Sequence, residues 1–241
     1  MNNNENKYRF KFKQFGINDS QCAMKIGTDG VLLGAWCDIS TAQKVLDVGS
    51  GSGLISLMVA QRCNASITGI EIDPLATKQS IENINNSPWS NRISILNSDF
   101  IKWASSTSQR FDHIISNPPF FNCGPNAPSS ARATARHEAS LGYEQLINYS
   151  KLLLTHNGKI SFISPIERKD DIIFYSELAH MYISRLTNIL SKENGKVNRL
   201  LWEITLNKCI TQYSEFAIRT IENNYTEDYI NLTKDFYLHF N

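Results

Sequence analysis

Asn117-Pro118-Pro119-Phe120 is the run whose residue types and spacing could do chemistry. Two consecutive prolines stiffen the backbone, so the Asn117 side-chain oxygen and the Pro118 carbonyl can aim at one point. They offer two acceptors, one from a side-chain amide and one from the main chain. A planar exocyclic amine has two hydrogens and a lone pair delocalised into its ring. Drawing both hydrogens out of the ring plane would localise that lone pair on nitrogen and direct it at an electrophilic carbon such as a sulfonium methyl. An in-line displacement of this kind needs position and electrostatics more than a strong base. Asn117, Pro118 and Phe120 are therefore the candidate catalytic residues. Phe120, with Phe121, is expected to stack on a flipped base, worth roughly 1–3 kcal/mol. The competing reading is an ordinary double-proline loop after a strand.

The second constellation is Leu46-Asp47-Val48-Gly49-Ser50-Gly51-Ser52-Gly53, placed where a strand gives way to a helix. Gly49, Gly51 and Gly53 allow a tight turn and a close approach of the backbone to a ligand. Leu54 stands where the dinucleotide fingerprint has its last glycine, which suits better a cofactor without a pyrophosphate. Glu71 ends the next strand, where a carboxylate can accept both hydroxyls of a ribose. Asp99-Phe100 follows the third strand: the carboxylate could accept an adenine amine while the ring packs on the base, or it could simply cap a helix. Lys25-Ile26-Gly27-Thr28-Asp29-Gly30 precedes the first strand. Thr28 or Asp29 is expected to cap a helix over Val31–Trp36, whose first amides would suit an anionic group of the cofactor, or to be a cap with no ligand. Lys25 and Thr28 are carried as cofactor contacts, and Asn117 is assigned to both ends of the site.

These residues need elements to position them, and the pattern supplies strand, turn and helix in repetition. Strands are expected at Lys44–Val48, Ser66–Ile70, Arg92–Leu96, Phe111–Ser116 and Lys159–Ser164, and helices at Leu54–Arg62, after Pro74, at Tyr143–Leu154 and at Asp170–His180. Tyr182–Leu190 and Lys196–Leu206 read as two longer strands around the hairpin dipeptide Asn194-Gly195. Strands alternating with helices imply an α/β fold, a doubly wound and mainly parallel sheet. Its terminal hairpin adds an antiparallel strand. No repeat, linker or domain boundary is legible, so 1–241 is expected to be a single domain, with 1–6 a disordered tail.

Lys and Arg total 24 against 23 Asp and Glu, and this balance does not announce a nucleic-acid partner. Local patterning is more suggestive. Tyr8-Arg9-Phe10-Lys11-Phe12-Lys13 alternates aromatic and basic residues at the period of a strand, so one face would be cationic and the other apolar. Arg9, Lys11 and Lys13 could track RNA phosphates or form a solvated edge that discourages aggregation. Arg132 and Arg136, beside His137, could clamp phosphates from a Ser/Ala-rich loop, or be incidental surface charge. Five cysteines without paired spacing argue against a metal site and for reduced thiols in a cytoplasm. No apolar run approaches a membrane span, and the polar N-terminus has no signal-peptide core.

With both ends in place, the chain resembles the class I S-adenosylmethionine methyltransferases of the amino-methylating group. More closely, it resembles the bacterial family that methylates N6 of the adenine beside the anticodon of a valine tRNA. The resemblance starts at Phe10–Gly16, runs through Met24–Trp36 and the glycine loop, and includes Asn117–Phe121 and Arg136-His137-Glu138. It ends in Tyr225-Thr226 and Leu232–Leu238. It implies a seven-stranded class I sheet with residues 7–40 as an N-terminal extension, S-adenosylmethionine held by Asp47, Gly49, Glu71 and Asp99, an adenine at Asn117 and Phe120, and a tRNA partner. Two other readings are weighed. One is methylation of a protein glutamine amide, as in release-factor methyltransferases, whose helical N-terminal domain has no counterpart in the 25 or so residues expected before the Lys25 motif. The other is a non-catalytic module binding the cofactor or RNA, against which the intact Asn117–Phe120 run counts.

Overall fold

The computed structural model describes residues 8–119 and 141–240. Phe120, Phe121, Cys123, Arg132, Arg136, His137 and the expected tail at 1–6 lie outside the described residues.

A short hairpin of β1 (Phe10–Lys11) and β2 (Gly16–Ile17) comes first, then α1 (Thr28–Trp36). Alternation follows: β3 (Lys44–Val48), α2 (Leu54–Arg62), β4 (Ser66–Glu71), α3 (Pro74–Asn85), β5 (Ile93–Asn97), α4 (Phe100–Ser106) and β6 (Phe111–Ser116). After the undescribed stretch come α5 (Tyr143–Leu153), β7 (Leu154–Pro165), α6 (Lys169–Leu178), β8 (Tyr182–Lys192), β9 (Val197–Thr205), β10 (Gln212–Arg219) and α7 (Glu227–Thr233).

Among the described residues the main sheet has eight strands in the order β10-β8-β9-β7-β6-β3-β4-β5. Only β9 runs antiparallel to its neighbours. The expected doubly wound, mainly parallel sheet is therefore present, with one strand more than seven. The additional strand, β10, pairs in parallel with β8 at the sheet edge. Its first four residues, Gln212–Glu215, are exposed, so no buried face imposes a hydrophobic period on them.

Successive residues of the central strands feed opposite cores, as the two-residue period of a strand requires. Val45, Ile115, Ile163 and Leu201 pack with α1, α2 and the N-terminal hairpin. Leu46, Ile114, Phe162 and Trp202 pack with α4, α5 and α6. Burial on both faces explains why these strands read as nearly continuous apolar runs. At the hairpin between β8 and β9, Asn194 adopts φ 58°, the left-handed conformation its dipeptide favours. The Tyr8–Lys13 alternation is realised over a paired segment of only two residues. Phe12 is buried between Phe15 and Tyr237, while Arg9, Lys11 and Lys13 are exposed.

Candidate active site

β6, β3, β4 and β5 are neighbours and all parallel. Asn117, Gly49 and Glu71 stand at or just beyond the C-terminal ends of the first three, and Asp99 follows the end of β5. At about 4.8 Å per strand these ends line roughly 15 Å of rim, in the place where open α/β sheets bind ligands.

The glycine loop hangs from β4: the amides of Gly49 and Ser50 both donate to the Ile70 carbonyl, at 2.8 and 3.1 Å. Gly49, Gly51 and Gly53 have φ of 72°, 53° and 81°, which other residues adopt only under strain. A Cβ added at Gly49 would meet nothing within 4 Å, so conformation demands glycine there and the space above the loop is open. The Glu71 carboxylate bridges two turns, accepting the Gly51 amide on Oε2 at 2.8 Å and the Asp73 amide on Oε1 at 2.9 Å. Each oxygen keeps a lone pair.

Asp47 acts from beneath this loop. It is 1% exposed, and its Oδ2 accepts the Ser56 hydroxyl at 2.6 Å and the Ser56 amide at 3.0 Å, clasping β3 to α2. Burial pushes its carboxyl up to about 6, against the pull of the Ser56 hydrogen bonds. Asp99 is the N-cap of α4, accepting the Lys102 amide at 2.9 Å, so the capping reading holds for Asp99. Phe100 is buried with Val48 and Ile70.

At the start of α1, the sequence reading needs correction. The helix begins at Thr28, three residues earlier than expected, and its N-cap is Gly27 with no side-chain cap. Neither Thr28 nor Asp29 caps it. Instead Asp29 accepts Arg199 Nε at 2.9 Å, tying the first turn to β9. Lys25 donates its ammonium hydrogens to the carbonyls of Asp19, Ser20 and Cys22, at 2.7, 3.1 and 2.8 Å. It shapes the turn before α1.

Ser116 anchors the end of β6 by donating to the Val48 carbonyl at 2.9 Å. Beyond it, Asn117 Nδ2 approaches the Met24 sulfur at 3.7 Å, and Asn117 Oδ1 is out of water with no hydrogen-bond partner among the described residues. A Cβ added at Gly30 would lie 3.0 Å from Leu54 and 3.7 Å from Asn117 Nδ2. The first turn of α1, the start of α2 that follows the glycine loop, and Asn117 therefore meet. Met24 carried no signal of its own in the sequence, since its partner lies 93 residues away.

Cys22, Cys37, Cys63 and Cys209 are free thiols. Among the described residues no group of three His, Cys, Asp or Glu could hold a metal, and no helix is long and apolar enough to cross a membrane.

A family model for the methyltransferase small domain matches residues 22–168. A tRNA1(Val) (adenine(37)-N6)-methyltransferase of Actinobacillus succinogenes is 40% identical over 233 residues, 96% of this chain and 98% of that protein. Its counterpart in Bacteroides fragilis is 39% identical over 230 residues, 95% of this chain and 97% of that protein. Among solved structures, a predicted O-methyltransferase of Agrobacterium tumefaciens matches with a TM-score of 0.68 at 19% identity, covering 86% of this chain and 96% of that one. That likeness speaks for the fold.

Proposed function

The chain belongs to the methyltransferase small-domain family and to the family of tRNA1(Val) (adenine(37)-N6)-methyltransferases, and from that premise we propose that it methylates the exocyclic N6 amine of an adenine in tRNA, the one beside the anticodon of a valine tRNA. The observation that carries the chemistry is Asn117 Oδ1, a buried acceptor without a donor, beside the glycine loop. Buried polar atoms are nearly always paired, and an amine hydrogen of a bound base would complete this one.

The residues fit S-adenosylmethionine: open space above Gly49, a Glu71 carboxylate with free lone pairs, and first-turn amides of α1 that no side chain caps. When bound, this cofactor supplies an electrophilic methyl group on a sulfonium. Glu71 would accept its ribose hydroxyls, the second oxygen of Asp99 its adenine amine, and the α1 amides its carboxylate. Thr28 stands at that helix start. Gly51 and Gly53 let the loop take its left-handed turns, and Asp47 and Lys25 hold the loop and the turn from behind.

Asn117 Oδ1 and the Pro118 carbonyl would then accept the two N–H donors of the adenine amine. Bond formation from nitrogen to the methyl carbon, with loss of that carbon's bond to sulfur, would put positive charge on nitrogen until one of its protons leaves to solvent. Both hydrogen bonds would therefore strengthen on the way to the transition state. Phe120 and Phe121 would stack on the base. Arg9, Lys11, Lys13, Arg132 and Arg136 would meet the RNA backbone. We further read residues 1–241 as one catalytic domain, 7–40 being its extension, at work in the cytoplasm. The test is nucleoside mass spectrometry of unmodified valine tRNA incubated with S-adenosylmethionine and the protein. N6-methyladenosine at that one position is expected, and its absence with active cofactor binding would overturn the reading.

A further inference from the structure

At the end of α2 farther from the glycine loop, a cleft of about 460 Å³ is lined by Lys13, Gln14, Gln61, Arg62 and Asp235. Every one of these side chains is polar, unlike a groove awaiting an apolar partner. Two contacts build it: the Lys13 amide donates to the Phe236 carbonyl at 2.8 Å, and Gln61 Nε2 donates to the Asp235 carbonyl at 2.8 Å. The other half of the Gln61 amide, Oε1, is sealed from water without a partner. Arg62 donates through one nitrogen only, to the carbonyls of Gly34 and Cys37 at 2.9 and 2.8 Å and towards the Cys37 sulfur. Its remaining donors meet no acceptor among the described residues. Among the described residues the Lys13 ammonium makes no hydrogen bond, and Asp235 forms no ion pair with either cation. The cleft thus holds two cations with donors to give and one buried acceptor with nothing to accept.

The cleft is also connected to the reaction site. Asn117 touches Met24; two residues on, Ile26 donates its amide to Asp19 at 2.9 Å; and Asp19 pairs with Arg9 at 3.4 Å. From Arg9 the exposed side chains of Lys11 and Lys13 lead to the cleft. β1 is paired over Phe10–Lys11 only and Lys13 stands in the turn between β1 and β2, while the nine residues of α2 span about 14 Å.

We propose that this cleft binds one nucleotide of the RNA substrate away from the target adenine, with Lys13 and Arg62 on its phosphate and Gln61 Oε1 accepting from its ribose hydroxyl or base. Asp235 supplies a second acceptor for the 2′-hydroxyl, the group that separates RNA from DNA. The proposal rests on the tRNA reading above and adds a contact that the rim residues cannot provide. It would hold the strand in register a few nucleotides from the reacting base.

The experiment uses the full chain and unmodified valine tRNA, with fluorescence anisotropy for RNA binding and initial rates for methyl transfer, each across a salt series. Lys13→Glu is expected to weaken tRNA binding and raise KM by roughly tenfold and to flatten the salt dependence by about one charge. Lys13→Arg should restore both, and Asp235→Asn should lessen the preference for RNA over a DNA strand of the same sequence. Calorimetric S-adenosylmethionine binding checks that each variant is folded. Wild-type affinity and salt slope in folded Lys13→Glu would overturn the cleft. If the wild type binds tRNA but transfers nothing, the functional reading falls, while anisotropy still decides the cleft.

Discussion

Replacing Asn117 with alanine separates two consequences of one buried atom. Among the described residues Asn117 Oδ1 has no hydrogen-bond partner, and its amide nitrogen meets only the Met24 sulfur at 3.7 Å. An unsatisfied buried acceptor costs about 1–3 kcal/mol, so the fold without substrate gains little from this side chain. Asn117→Ala is expected to leave the melting temperature unchanged or to raise it, by about 2–4 °C for each kcal/mol recovered in a chain of this size. The rate should respond in the opposite direction. Removing one preorganised group from a site of this kind costs about 100–1000-fold in kcat, or roughly 2.7–4 kcal/mol. Single-turnover transfer of a labelled methyl group to tRNA measures the chemical step, and thermal melting of the same preparation measures the fold. A chemical step within tenfold of wild type would refute the amine-acceptor reasoning. A large drop in melting temperature would show that the acceptor is satisfied in the free protein.

Glu71→Gln replaces an acceptor with a donor facing the Gly51 or Asp73 amide; calorimetry should show S-adenosylmethionine affinity reduced at least tenfold, from the loss of charge-assisted hydrogen bonds worth about 1.5–3 kcal/mol. Asp47 is raised in the fold from 3.8 to about 6, so between those values the folded state binds more protons and stability falls as pH rises. His113, held neutral by burial and lowered from 6.5 to about 4, contributes the opposite slope: stability is lost as pH falls through that window. The difference between the wild-type and Asp47→Asn stability curves should therefore slope downwards from pH 4 to 6, and a flat difference would contradict the burial of an ionisable Asp47. Gly34→Ala would place a Cβ 2.7 Å from Met58 Sδ and 3.1 Å from Met58 Cβ; a loss of about 1–3 kcal/mol from overpacking between α1 and α2 is expected in chemical denaturation.

Much of the site was legible in the sequence because its signals are local. The positive φ of Gly49, Gly51 and Gly53, the place of Glu71 at the end of β4, and the stop of β6 before two prolines each follow from a few neighbouring residues. A parallel sheet then gathers those strand ends on one rim without further instruction. Chain direction and hydrophobic period also determined the doubly wound architecture and the β8–β9 hairpin. Only the tertiary structure decided what lies across from each side chain. It assigned Lys25 to three nearby carbonyls, turned Asp29 from a cap into the partner of Arg199, set Met24 against Asn117, and placed β10 on an edge whose polar residues carry no period. Asp29 and Arg199 are 170 residues apart, and Asn117 and Met24 are 93. The physical reason is that a motif records the conformation its own backbone must adopt, whereas a partner contributed by a distant segment exists only once the sheet has brought the two together.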